Sequence, residues 1–360
     1  MLCWPTCRRR RNWPVPLDEP AWWYARAPHP LASLLSPIAR LYGHVAVARL
    51  KRGRPFRCPI PVLCVGNFTA GGTGKTPLAI ALCDQLAAAG ESVVALTRGY
   101  GGTHKGPYWV DPANDRAREV GDEALLLAAH ARTVVARDRQ AGARAITEGP
   151  HAATVIVMDD GLQNPALEKD LTIAVVDGSR GFGNGAVIPA GPLRAPLAFQ
   201  LELADLIVVN EPVGSDGAIA EGLRRSFTGP VLRASVVPRG DTEWLKGQPV
   251  IAWAGIGNPE RFFRLLESLG ADVRAQRVFK DHHPLGTAEA AELLALADTE
   301  KALLVTTEKD LVRLKGGRGD LLALAETSRA LGIALQFLGT DGERLAELVG
   351  SALHGRRAAP

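Results

Sequence analysis

Residues 66–77, Gly66-Asn67-Phe68-Thr69-Ala70-Gly71-Gly72-Thr73-Gly74-Lys75-Thr76-Pro77, constrain this chain more than any other stretch. Upstream, Pro61 to Val65 is a short apolar run with the length and branching of a buried parallel strand. Downstream, Leu78 to Ala89 is rich in Ala and Leu and stops at Gly90, the pattern of a helix with a glycine C-cap. Between them the glycines let the backbone approach an anion and aim its N–H groups at it, and the helix start adds its positive dipole end. Thr69 to Thr76 (Thr69, Ala70, Gly71, Gly72, Thr73, Gly74, Lys75, Thr76) therefore read as a nucleotide-phosphate cradle. Lys75 reaches the β- and γ-phosphates and the Thr76 hydroxyl ligates Mg²⁺. Thr69 stands where the strict pattern wants glycine. The competing reading, a glycine-rich turn that binds nothing, does not account for strand, glycines, Lys-Thr and helix in that order.

Strand-like and helix-like runs then alternate, which implies a P-loop NTPase-type α/β fold: a parallel sheet with helices on both faces. Val93–Leu96 ends in Thr97-Arg98, Thr133–Ala136 in Arg137-Asp138-Arg139, and Val155–Met158 in Asp159-Asp160-Gly161. Ile173–Val176 ends in Asp177 and Leu206–Val209 in Asn210. Ligands of such sheets sit at the carboxyl ends of strands, where these polar residues fall. Asp159 and Asp160 follow four apolar residues as the carboxylates that hold Mg²⁺ in phosphate-loop enzymes do. Asp122 and Glu123, at a helix start, are explained by the helix dipole when taken alone, while next to a phosphate loop Glu123 is also a candidate for the metal. The segment Asp177–Pro196, with five glycines and three prolines, reads as a substrate cover. Asn67, Arg98, Arg137, Gln163, Asn164, Arg180 and Arg194 are the candidate substrate contacts.

The length of 360 residues suits two domains. We expect a disordered extension over 1–17, without the apolar core a signal peptide needs after Arg8–Arg11, and a helical region over 18–57. The phosphate-loop domain is expected over 58–237, a linker over 238–249 and a smaller α/β domain over 250–354. Five cysteines with no C-x-x-C pair exclude a disulfide frame and a cysteine zinc site.

The net charge of +4 hides an asymmetry, because residues 1–57 carry +9 and the remainder −5. In that basic end, Leu31, Leu34, Leu35, Ile38, Leu41, Tyr42 and Val45 recur at helical spacing, with Ser36-Pro37 as a candidate helix start. Arg40, Arg49, Lys51 and Arg52 surround that face, and Trp22, Trp23 and Tyr24 precede it. An amphipathic helix lying in an anionic membrane interface has this signature; so does an ordinary helix packed on the domain, and both readings stay open. The stretch reads as too short, and too interrupted by Arg40, His44 and Arg49, to span a bilayer.

The phosphate loop, Thr97-Arg98-Gly99-Tyr100-Gly101, Gly121-Asp122-Glu123, Asp159-Asp160-Gly161-Leu162-Gln163, Gly191-Pro192-Leu193-Arg194, Ala254-Gly255-Ile256-Gly257, Asp281-His282-His283 and Thr307-Glu308-Lys309-Asp310 occur here in one order. That order resembles the tetraacyldisaccharide 4′-kinases, lipid A-pathway kinases of Gram-negative bacteria, over about Asp18 to Leu345. The resemblance implies a phosphotransferase with an alcohol acceptor that uses ATP and Mg²⁺. It would act on the lipid tetraacyldisaccharide 1-phosphate, give lipid IVA, and sit peripherally on the cytoplasmic face of the inner membrane. It implies no nucleic-acid partner and no obligate protein partner. It also implies that Asp122 and His282 together accept the hydroxyl proton, with Lys75, Asp159 and Asp160 completing the catalytic set. The family usually follows Asp-Asp-Gly with an aromatic, Gln and His; here Leu162 and Asn164 replace the aromatic and the His, an expectation of weaker substrate affinity. A membrane-associated ATPase switch of the partition type is the alternative, against which stands Ala70 in place of that class's lysine.

Overall fold

The computed structural model describes residues 19–25, 27 and 29–358. The extension expected over 1–17 lies outside them. In chain order the strands are β1 (Val62–Asn67), β2 (Val93–Thr97), β3 (Tyr108–Trp109), β4 (Arg132–Val135), β5 (Val155–Asp159) and β6 (Leu171–Asp177). They continue with β7 (Leu206–Glu211), β8 (Val231–Pro238), β9 (Pro249–Ala254), β10 (Asp272–Val278), β11 (Leu303–Thr307), β12 (Ser328–Leu331) and β13 (Ile333–Phe337).

Every residue of β1 is buried, as expected of a strand covered on both faces. Leu63 and Val65 point to one side, into a core shared with Leu78, Leu82 and Leu86 of helix α2 (Lys75–Ala88 in chain order, preceded by α1, Pro30–Lys51). Val62 and Cys64 point to the other, against Ile146, Ile156 and Met158. Among the described residues the large sheet has the order β13-β8-β7-β6-β1-β5-β2-β4-β3. From β8 to β4 each neighbouring pair is parallel, and β3 closes the edge antiparallel to β4. The phosphate loop thus leaves the carboxyl end of a central strand, flanked by the ends of β5 and β6.

Two compact units result. The larger spans 19–237 and 333–358; the smaller holds 238–332, with a parallel sheet in the order β10-β9-β11-β12. Its core packs Phe262, Phe263 and Leu266 against Val250, Ala252 and Val305. The sequence expectation needs correcting at both of its limits. Residues 239–248 are part of the smaller unit, where Leu245 is fully buried, rather than a linker. The smaller unit ends at Gly332 instead of 354. Beyond it β13 joins the large sheet beside β8, and the helix Asp341–Ala358 sinks Leu345, Val349 and Leu353 into the core of the phosphate-loop unit. A strand of five residues beside another of four carries no sign of which sheet it will join, because strand pairing is set by distant partners.

Helix α1 starts earlier than Ser36-Pro37 suggested. His29 caps it, its Nδ1 accepting from Leu31 N at 3.3 Å, and the helix runs through Pro37. Its full length of 22 residues meets the length and composition of a membrane span, which removes the argument from shortness. Its small residues face inward: Ala39 and Gly43 are buried, and a Cβ on Gly43 would sit 3.4 Å from the Pro196 ring. Its large apolar residues face outward, with Leu31, Leu34, Ile38, Leu41, Tyr42 and Val45 all exposed. Leu35 is half-buried on the packed side.

Candidate active site

The phosphate loop is shaped by its glycines and braced from outside. Gly71 and Gly74 hold φ of 90° and 94°, where any side chain is strained. A Cβ on Gly74 would fall 2.4 Å from Asn210 Nδ2, the same amide that donates to Thr73 O at 3.1 Å. From the 177–196 segment, Pro192 O accepts from Ala70 N at 2.8 Å and Arg194 Nε donates to Thr69 O at 3.0 Å. That segment, expected to cover substrate, therefore also buttresses the loop.

The two carboxylates after β5 have opposite environments. Asp160, at φ 52°, takes Arg194 Nη1 at 2.8 Å and Lys75 Nζ at 3.8 Å on one oxygen. Burial works to raise its pKa, but Lys75 and Arg194 outweigh it and hold the carboxyl at about 2. Asp159 is fully buried and, among the described residues, neither of its carboxylate oxygens accepts a hydrogen bond. Burial first, then the Glu123 and Asp160 carboxylates, pushes its pKa up to about 7. An orphaned carboxylate beside two others fits a hard divalent cation. Among the described residues no three His, Cys, Asp or Glu side chains form a metal cage; Mg²⁺ needs none, since it commonly keeps its waters and uses one or two carboxylates with substrate phosphates.

The remaining expected residues divide. Asp122 is buried at the first position of the helix Asp122–Ala128, its Oδ1 accepting from Glu123 N at 2.8 Å, and Glu123 is half-buried. Asn67 and Gln163 are tied inward: Asn67 Nδ2 donates to Gly71 O at 3.3 Å, and Gln163 Nε2 to Asn67 O at 2.7 Å and Gln200 Oε1 at 2.8 Å. Asn164 spends its side-chain oxygen on Ala166 N at 2.9 Å, closing a turn. Arg98 and Arg137 are exposed, with Arg137 donating to Gly102 O at 3.3 Å. Arg194 meets Asp160. Arg180 lies 3.4 Å from Glu19 and 4.9 Å from the Tyr24 ring. His282 belongs to the smaller unit, at φ 60°.

Two groups of residues escaped the sequence reading. Arg139 is buried below Asp159, bonded to Ala136 O and, at 3.3 Å, to Asp159 O, so it braces the end of β5. Only its place in an Arg-Asp-Arg run hinted at it. The second group is Glu19, Trp23 and Tyr24. Expected at a membrane interface, Trp23 is instead buried and donates Nε1 to Pro189 O at 3.2 Å. Tyr24 donates to Glu19 at 2.8 Å, and the Glu19 carboxylate packs on Gly71, where an added Cβ would come within 1.7 Å of it. Burial and then Glu19 raise the Tyr24 pKa.

A parallel sheet with a Lys-Thr phosphate loop, one carboxylate clamping its lysine and another left open for a cation, defines a P-loop nucleotide-dependent phosphotransferase. The sequence model of the family described as tetraacyldisaccharide-1-P 4′-kinase (LpxK) matches residues 31–351. The tetraacyldisaccharide 4′-kinase of Methylorubrum populi is 51% identical over 299 residues, covering 83% of this chain and 90% of its own. That of Rhodopseudomonas palustris strain CGA009 is 46% identical over 347 residues, 95% of this chain and 98% of its own. Among solved structures, "apo" form LpxK from Aquifex aeolicus in complex with ATP superposes with a TM-score of 0.70 at 26% identity, covering 90% of this chain and 99% of that one. The chain belongs to the tetraacyldisaccharide-1-P 4′-kinase family.

Proposed function

We propose that this chain transfers the γ-phosphate of ATP to the 4′-hydroxyl of tetraacyldisaccharide 1-phosphate, giving lipid IVA, while lying peripherally on the cytoplasmic face of the inner membrane. One observation carries the lipid half of this reading. In the same unit as the phosphate loop, α1 buries its small side and exposes its large apolar side, the reverse of a helix packed for solubility. A cavity of ≈ 680 Å³ lies beneath it, lined by Ala32, Ala39, Gly43, Val47, Val187 and Pro196 among others, a wall suited to an acyl chain. The exposed face with Arg40, Arg49, Lys51 and Arg52 supports seating on an anionic surface.

In the transfer, the loop N–H groups and Lys75 hold the β- and γ-phosphates in line with the hydroxyl. Asp160 holds Lys75 in place. Asp159, Thr76 and Glu123 would hold Mg²⁺, which when bound neutralises charge developing on the phosphate oxygens. Resemblance supports Asp122 and His282 as the unit that takes the hydroxyl proton; the positive charge of Arg180, Arg194, Arg98 and Arg137 suits them to contact the anionic substrate. The test is transfer of labelled γ-phosphate to the lipid acceptor, resolved by thin-layer chromatography, for wild type and Lys75→Ala. Label in the lipid that disappears with Lys75 supports the kinase; release of inorganic phosphate with unlabelled lipid supports an ATPase switch instead.

A further inference from the structure

Within the smaller unit, Thr307-Glu308-Lys309-Asp310 builds the support of His282. Thr307 caps the helix Glu308–Arg313: its Oγ1 accepts from Asp310 N at 3.1 Å and donates to Asp310 Oδ2 at 2.7 Å. Asp310 is fully buried and also accepts from Gly255 N at 3.1 Å and Arg313 Nη1 at 2.5 Å. Arg313, fixed in this way, stands 3.6 Å from Asp281 Oδ1. Lys309 completes the arrangement, with Nζ 3.3 Å from Asp281 Oδ1 and 3.4 Å from His282 Nε2. His282 itself sits at φ 60°, a strained region for a non-glycine residue that persists where the surroundings over-determine it. The burial of Asp310 and the clamp on Asp281 supply that determination.

An ammonium has three donors and no acceptor. Toward Lys309, Nε2 of His282 can only accept, and the tautomer that makes this contact carries its ring proton on Nδ1 and its lone pair on Nε2. We propose that Lys309 is a positioning residue of the kinase reaction, fixing the tautomer and orientation of His282 so that Nε2 is the atom that takes the acceptor proton. The inference rests on the reading of His282 as the base. In the step, the sugar O–H proton passes to Nε2, the sugar oxygen forms its bond to the γ-phosphorus, and the bond from that phosphorus to the β-bridging oxygen breaks with its electron pair leaving on ADP. Lys309 yields the lone pair as the hydroxyl arrives, and the imidazolium is compensated by Asp281, whose Oδ2 lies 3.7 Å from Nε2.

The test uses the full chain, with ATP and lipid acceptor in anionic vesicles, for Lys309→Met, Lys309→Arg and His282→Ala. Orienting a base is a part of the roughly 10²–10⁴ that the base contributes, so Lys309→Met should lower kcat at least about tenfold with both KM values within about twofold. Long-range ring ¹⁵N correlations of His282 should show unprotonated Nε2 in wild type and a mixed tautomer in Lys309→Met. Lys309→Arg should restore the wild-type ring pattern and part of kcat, and it carries the test if the Met variant does not fold. A Lys309→Met kcat within about threefold of wild type overturns the inference, as does a lost kcat with an unchanged ring pattern or a change in KM alone. If His282→Ala keeps full activity, the underlying base assignment fails; if it is inactive while Lys309→Met is not impaired, only the present inference fails.

Discussion

Replacing Leu34, Ile38 and Leu41 together by Ser should strip the protein from membranes without unfolding it. The three side chains are 72%, 58% and 67% exposed, together about two whole apolar side chains offered to the surroundings. Moving one such side chain out of water is worth about 1.5–3 kcal/mol, so seating this face in lipid contributes about 3–6 kcal/mol. Losing it should weaken vesicle partitioning by about 10²–10⁴-fold, at 1.4 kcal/mol per factor of ten. Arg40, Arg49, Lys51 and Arg52 remain, at about 1 kcal/mol each near an anionic surface, so the residual binding should require anionic lipid and vanish at high salt.

Co-sedimentation with anionic and neutral vesicles at low and high salt measures the partitioning, and initial rates measure KM for each substrate. We expect KM for the lipid to rise and KM for ATP and the melting temperature to stay put. The opposite face is the control: Gly43→Leu forces bulk against Pro196, already 3.4 Å from an added Cβ, and should destabilise the unit. Unchanged vesicle binding by the triple variant, or an early melt, refutes the reasoning, because either result means that the exposed face is not what meets lipid.

Lys75→Ala should cost factors of hundreds in kcat while the protein stays folded, as expected for an electrostatic contact to the transferred phosphate; activity within about threefold of wild type sinks the phosphate-loop assignment. Asp122→Ala and His282→Ala should each depress kcat strongly and the double variant little further, since residues acting as one unit are not additive; multiplicative losses would mean separate roles. Trp23→Ala removes a buried ring that braces the 183–192 segment, and should cost about 3–5 kcal/mol of stability and weaken ATP binding measured by calorimetry.

The strands that position the site were legible because each is a short apolar run ending in a polar cluster, and the phosphate loop because its glycines are demanded by geometry. Gly74 shows why: no side chain fits between it and Asn210. What stayed hidden depended on contacts that the order of residues does not display. Trp23 next to Trp22 and Tyr24 looks like an interface belt in sequence, and only its hydrogen bond to Pro189, 166 positions away, reveals a core residue. Pro37 looks like a helix start; packing of Ala39 and Gly43 carries the helix through it. Asn164 looks like a substrate contact, yet its turn with Ala166 is a local use that any Asn offers.

Adjacent in sequence, Asp159 and Asp160 look equivalent, and their surroundings make them different tools. Neighbouring groups whose environments drive their pKa values apart usually divide the chemistry. Asp160, held at about 2, is permanently ionised and committed to Lys75 and Arg194. Asp159, at about 7, has two buried oxygens without hydrogen bonds, so it is the one suited to meet Mg²⁺ directly. Between the ordinary value of 3.8 and about 7, the folded state holds a proton on Asp159 that the unfolded chain has released. Metal-free protein should accordingly lose stability as pH rises through that window, by at most about 4 kcal/mol for about three pKa units. Asp159→Asn should flatten this dependence and abolish the response of kinase rate to Mg²⁺ titration. Asp160→Asn should leave that titration in place and raise KM for ATP, because it loosens Lys75. Equal displacement of the Mg²⁺ curve by the two substitutions would show that the carboxylates share the cation, and the division of labour argued from their surroundings would be wrong.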